Sequence, residues 1–291
     1  MNKRIAALFL ALILCFAGVC ACAQSVAVTD MAGRTFDIEQ PVTRVVALAA
    51  ADCEILCALG CEDALIARGA YCDFPASVLE IPAVNSGSEL NLEQIVALAP
   101  QVLIASEMDQ TKEQMAALEA AGIPVLVSWA DDIEGVYGAI AMIGEAMGKD
   151  EAAAALVASM KERFKGVAAQ TGDTGKTVYF EVSPLEWGLW TAGANTFMDE
   201  LAGICGLKNA FADVSGWAEI SQEQVLARDP DYIVTIAMYA GEGPSPEDEI
   251  KSRAGWENLK AVKNGNVVRL DGDEISRPGP RLVNAARALA A

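Results

Sequence analysis

The sequence predicts an α/β protein: two Rossmann-like lobes, each with a central, mostly parallel sheet, joined by one long α-helix. Short, nearly continuous apolar runs alternate with helical stretches, the pattern of strands covered on both faces. A helix, proline turn and strand recur at an offset of 130 residues: Glu93–Pro100 precedes Val102–Ile104, and Glu223–Pro230 precedes Tyr232–Val234. Between the two copies, Asp150 to Ala169 is rich in Ala, Glu, Lys and Met, with Gly166 its only glycine, and reads as a single helix. Such helix-proline-strand units are common, but a pair flanking a long central helix points to an architectural duplication.

Taken in order, the first element is a leader. Lys3 and Arg4 precede an apolar run from Ile5 to Val19, too short for a comfortable span and followed by small residues, which is the anatomy of an export signal. The cleavage region Val19-Cys20-Ala21-Cys22 places a small residue before Cys22, the candidate lipid-bearing residue; ordinary cleavage after Ala23 is the alternative. Val26 to Ile38, with Gly33 between two alternating runs, predicts a hairpin. Strands follow at Val45–Leu48, Leu65–Arg68, Val102–Ile104 and Val125–Val127, with helices near Asp52–Leu59 and Glu113–Ala121. Beyond the central helix come a strand at Thr177–Val182, a helix at Thr196–Ala202, strands at Tyr232–Thr235 and Val267–Leu270, and a closing helix from Arg281. The expected organisation is a leader at 1–22, a first lobe at 23–149, a connecting helix at 150–170 and a second lobe at 171–291. About 270 mature residues exceed what one core comfortably holds.

Composition narrows the function. The formal charge is −19, and removing Lys3 and Arg4 makes it more negative still. A nucleic-acid or anionic-membrane reader needs a basic face, so both are disfavoured. The chain contains no histidine, which removes the usual general base of hydrolases and the commonest ligand for zinc or haem iron. Cys53, Cys57 and Cys61 share one helical face, but a four-residue spacing is not a zinc or iron–sulfur pattern. With Cys72 and Cys205 they read as small apolar core residues, a Cys61–Cys72 disulfide being the alternative.

Several of these segments together resemble a known family. Val28-Thr29-Asp30-Met31-Ala32-Gly33-Arg34, Arg44-Val45-Val46-Ala47-Leu48, the helix from Cys53-Glu54-Ile55-Leu56 to Gly60, Tyr71-Cys72-Asp73-Phe74-Pro75, Leu92–Pro100 and Arg277-Pro278-Gly279-Pro280-Arg281 resemble the ABC-importer binding proteins for vitamin B12, iron-siderophores and haem. The similarity runs from about residue 28 to the C-terminus in the family's order, and it does not select among the ligands. It implies two lobes on a stiff helical connector with only small hinge motion, and a monomer that meets a permease dimer. It also implies that Glu93 and Glu223, equivalent residues of the internal repeat, are the carboxylates that dock on permease arginines. Without it, both would be ordinary solvated acids at helix N-termini.

A ligand held between the lobes would meet loops at the strand ends. Tyr71, Trp129, Trp187, Trp190 and Trp217 are the candidate walls for a flat apolar macrocycle, packing in a lobe core being the alternative for any one of them. Arg277, in a loop before Pro278, is placed to contact an anionic ligand group such as a propionate, Arg281 belongs to the surface of the closing helix, and Asp73 caps a turn. A corrinoid brings all its own metal ligands and needs only shape, aromatic surface and hydrogen bonds, so a histidine-free receptor suits it; an iron-siderophore or haem is the alternative. No catalytic residue, resident metal or cofactor is assigned. Bare zinc or manganese would want imidazoles or a carboxylate cluster. A secreted hydrolase without histidine would need a Ser-Lys or paired-carboxylate site, which is not visible, and Gly175-Lys176-Thr177 lacks the upstream glycine of a phosphate loop.

Overall fold

A computed structural model describes residues 24–106, 111–236 and 243–291; the expected leader and Cys22 lie outside the described residues. The chain opens with an antiparallel hairpin, β1 (Gln24–Thr29) and β2 (Thr35–Gln40). Gly33 takes φ +78° in its turn, a region open to glycine at little cost. The buried Asp30 carboxylate accepts from the Ala32 and Arg34 amides to close it.

The first lobe is built on β3 (Val45–Ala47), β4 (Leu65–Gly69), β5 (Ala83–Val84), β6 (Val102–Ser106) and β7 (Val125–Ser128). All pair in parallel, in the order β5-β4-β3-β6-β7. Every residue of β3 and β7 is buried, which is why these runs are apolar without alternation. Its helices are α1 (Ala50–Ala58), α2 (Leu92–Leu98), α3 (Lys112–Ala120) and α4 (Ile133–Ala146). The sequence reading assigned no element to α4, although Asp132 caps it and Ile133, Val136, Tyr137, Ile140 and Ile143 line its buried face.

The connector α5 (Asp150–Thr171) has 22 residues and is about 33 Å long at the standard rise. It is not a bare rod. Ala153, Met160, Phe164 and Val167 are buried along it, and it lies so close to α4 that a Cβ on Gly144 would stand 2.5 Å from that of Ala153.

The second lobe contains β8 (Thr177–Glu181), β9 (Leu189–Ala192), β10 (Lys208–Asn209), β11 (Trp217–Ile220), β12 (Tyr232–Thr235) and β13 (Val267–Arg269). Its parallel sheet runs β10-β8-β12-β13, while β9 and β11 form a separate antiparallel ribbon. The helices are α6 (Phe197–Ile204), α7 (Gln222–Arg228), α8 (Pro246–Ser252), α9 (Lys260–Lys263), α10 (Gly272–Ser276) and α11 (Leu282–Leu289).

The internal repeat extends to local geometry. Asn91 and Ser221 cap α2 and α7 by accepting from the Gln94 and Gln224 amides. Both helices end in a left-handed residue, Ala99 at φ 45° and Asp229 at φ 46°, and a proline follows each. The sheets also divide their side chains alike. Val46, Leu103 and Val125 face a core private to the first lobe, and Tyr179, Ile233 and Val267 one private to the second. Val45, Val102 and Ile104, with Val178, Phe180 and Val234, join a third cluster that runs through α1, α4, α5, α6 and α11. The two sheets thus share one apolar layer with the connector, and a gap is left at the carboxyl ends of their strands.

Candidate ligand-binding cleft

That gap is a cleft of about 380 Å³. Its walls come from the ends of both sheets: Ala49–Asp52 after β3, Ser106 at the end of β6, Ser128–Asp131 after β7, Val182 after β8 and Ile236 after β12. Residues just outside the carboxyl ends of parallel strands are where open α/β sheets place their ligands. Phe197 and Met198 of α6, Trp217, and Ser276–Pro278 complete the lining.

Two of the expected aromatics stand in the cleft, one from each lobe. Trp129 follows β7, and its indole nitrogen donates to Asp131 Oδ2 at 2.7 Å. Trp217 heads β11, opposite Ala192 of β9. Its ring packs on Phe197 with centroids 5.4 Å apart and planes inclined by 59°. The sequence reading placed Trp190 and Trp217 in loops; both are in strands, because β9 and β11 are short and pair with each other across intervening chain, leaving no local pattern. Trp190 sits opposite Glu219, on the ribbon face that carries Trp217, since positions two apart share a face. It is 40% exposed and stands outside the cavity lining, as do Trp187 (70%), in the turn Leu185–Trp187, and Tyr71 (78%).

Arg277 reaches the cleft already engaged. Its Nη1 donates to Asp73 Oδ1 at 2.6 Å and Glu54 Oε1 at 3.2 Å; its Nη2 donates to the Tyr71 carbonyl at 3.3 Å and pairs with Asp273 at 2.8 Å. The Asp73 carboxylate is held below the usual aspartate range by the hydrogen bond from Arg277. Burial alone would lower the Arg277 pKa, but Asp73 and Glu54 outweigh it and raise it. Asp73 is therefore the partner of Arg277 rather than only a turn cap. Arg281 is likewise not a free surface residue: it forks onto the buried Glu54 carboxylate at 2.7 and 2.9 Å and stacks 4.2 Å above Phe74. Sequence reasoning missed Glu54, the buried Asp52 of the first turn of α1, and Asp131. Burial of two acids on an otherwise apolar helix would have been the signal for Glu54 and Asp52.

Glu93 and Glu223 lie in the exposed first turns of α2 and α7, away from the cleft lining. The five cysteines beyond the leader are free thiols, four buried and Cys57 half-buried, so no Cys61–Cys72 disulfide is present. Among the described residues no group of three or more potential ligating side chains could hold a metal ion. A second buried ion pair, Glu181 with Arg253 at 2.7 Å, is sealed beneath Trp256 in the second lobe and does not line the cleft.

Two helix-bridged lobes with parallel sheets converging on a cleft define the class of solute-binding proteins that trap a small molecule between domains. The chain belongs to the periplasmic binding protein family, whose model matches residues 45–274. It is 32% identical over 272 residues to an uncharacterized ABC transporter substrate-binding lipoprotein of Bacillus subtilis (strain 168), covering 91% of this chain and 84% of that one. It is 28% identical over 248 residues to a vitamin B12-binding protein of Vibrio parahaemolyticus, covering 84% and 87%. The fold superposes with a TM-score of 0.76 on a possible iron-binding periplasmic solute-binding protein of Staphylococcus epidermidis, 27% identical, with 86% and 98% of the two chains covered.

Proposed function

We propose that this chain is the extracytoplasmic substrate-binding protein of an ABC importer, tethered to the membrane through lipid on Cys22, and that it captures a corrinoid and delivers it to a permease dimer. The observation that carries the reading is the placement of Trp129 and Trp217, from different lobes, in one cavity at the strand ends. Paired ring surfaces across a mostly apolar gap suit a flat macrocycle whose metal needs no protein ligand. A corrinoid is larger than the cavity, so part of it would stay outside, and Tyr71, Trp187 and Trp190, exposed aromatics outside the lining, are proposed to meet that part. Similarity to a vitamin B12-binding protein over most of the chain supports the same ligand. Glu93 and Glu223 serve as the docking carboxylates, one on each lobe.

The likeness to an iron-binding protein favours a ferric siderophore as the second reading. Titrating purified mature protein separately with cyanocobalamin, ferric siderophores and haemin, read by tryptophan fluorescence and thermal shift, separates them. Saturable binding of cyanocobalamin, weakened about tenfold or more by Trp129→Ala or Trp217→Ala, is the expected result. Turnover of a substrate, or indifference to both substitutions, would overturn the reading.

A further inference from the structure

The charge in the cleft defines which chelates it accepts. Among the described residues, three that line the cleft are charged: Asp52, Asp131 and Arg277. An arginine offers five N–H donors. The two terminal nitrogens of Arg277 donate to Asp73, Glu54 and the Tyr71 carbonyl and pair with the Asp273 carboxylate, so its charge is already engaged by protein oxygens. Three carboxylates thus surround this one cation, and the neighbouring Arg281 is itself bound to Glu54 with Glu274 4.0 Å away.

The rest of the wall adds no positive charge. Asp131 is exposed and holds the Trp129 indole, and Glu219 is exposed on the ribbon face shared by Trp190 and Trp217. The charge balance of the described residues around the cleft is therefore negative. From this we infer that the cleft selects uncharged or cationic metal chelates and rejects anionic ones such as haem, with its two propionates, or ferric catecholates. The inference rests on the reading of this cleft as the ligand site. Its physical basis is that a ligand carboxylate would have to displace Asp73 or Asp273 from Arg277, or else stand unpaired beside Asp131, and like charges brought together in a partly dry site are strongly unfavourable.

Two ligand series of graded charge test it by calorimetry on the mature protein. In the corrinoid series, aquacobalamin is cationic, cyanocobalamin neutral, and a cyanocobalamin with one side-chain amide hydrolysed to a carboxylate is anionic. In the iron series, ferrioxamine B is cationic and a ferric tris-catecholate anionic, and haemin is run beside both. The anionic corrinoid should bind about tenfold or more weakly than the neutral one, with a difference that shrinks as salt is added. Asp73→Asn should narrow that ratio by releasing donors on Arg277. An anionic member binding as tightly as its neutral or cationic counterpart would overturn the charge rule and leave the corrinoid reading standing. If no corrinoid binds but ferrioxamine B does, ahead of the catecholate, the corrinoid reading fails and the charge rule holds. Binding of haemin alone, or of no chelate, overturns both.

Discussion

Glu54 of the first lobe and Arg281, just ahead of the last helix, meet through two parallel hydrogen bonds, Nε to Oε2 at 2.9 Å and Nη2 to Oε1 at 2.7 Å. The carboxylate is 2% exposed, and Arg277 shares its Oε1. A forked guanidinium–carboxylate pair fixes both distance and plane, so the C-terminal segment is pinned against α1 beside the cleft. Together with the apolar layer on α5, it ties the two lobes to each other on both sides of the connector.

Glu54→Gln would leave two arginines facing a neutral amide in a site that water scarcely reaches. Removing one partner of a buried pair costs about 3–5 kcal/mol. Urea unfolding of the two proteins should show a lower midpoint with an unchanged slope. A loss below about 1 kcal/mol would mean the pair behaves as a solvated surface contact.

Asp73 gives the same region a pH dependence with a definite sign. Its pKa is lowered in the folded protein by the hydrogen bond from Arg277, so in the acid range the unfolded chain binds more protons than the native one and stability rises with pH. The contribution is present above the ordinary aspartate value of about 3.9 and fades as pH falls through the depressed native value. Asp73 is half exposed, so the effect is small. Unfolding curves of the native chain and Asp73→Asn should differ at pH 6 and converge as the pH is lowered toward about 3; a gap that widens in acid would reverse the assignment.

The strand-helix alternation, the internal repeat and the connector were legible because each is written in local pattern: apolar runs, a helix, proline turn and strand repeated at a fixed offset, and a glycine-poor stretch. The ribbon of β9 and β11 was not, since each strand has four residues and its partner lies on the far side of α6. For the cleft, Trp129 and Trp217 followed from their positions after or beside predicted elements. The ionic surroundings of Arg277 did not: Glu54 and Asp73 are more than 200 positions away in the chain, and nothing in a single sequence reports such a meeting. Arg277 therefore read as a donor for an anionic ligand, where the fold has already supplied the anions.

The thiols should separate by reactivity. Cys57 is half-buried and its pKa is lowered by a hydrogen bond with Cys53. Burial pushes the Cys205 thiol up to about 12, and its Sγ donates to the Ala286 carbonyl at 3.2 Å. At pH 8 roughly one Cys205 in ten thousand is then a thiolate, the reactive form. Brief iodoacetamide treatment followed by peptide mass analysis should find Cys57 alkylated first and Cys205 only after denaturation. Early labelling of Cys205, or a Cys57 that never reacts, would contradict this ordering.

The docking role proposed for Glu93 and Glu223 allows capture to be tested separately from delivery. Each occupies the exposed first turn of a short capped helix, at equivalent places in the two copies of the repeat, and neither lines the cleft. Because both helices end in a left-handed residue and a proline turn, the two carboxylates are presented by matching frames, one anchored by Ile95 in the first lobe's own core and the other by Val225 in the second's. Opposite charges at set positions on a partner accelerate encounter and fix orientation, commonly by tenfold or more in rate. Glu93→Lys and Glu223→Lys should therefore each slow association with the permease by about that factor and abolish uptake when combined, while ligand affinity stays within roughly twofold, since both carboxylates are exposed and neither lines the cleft. Uptake assays in cells, paired with fluorescence titration of the same variants, read the two effects separately. Uptake that survives the double reversal would remove both residues from the docking surface, and binding that fails along with uptake would move them to the ligand site instead.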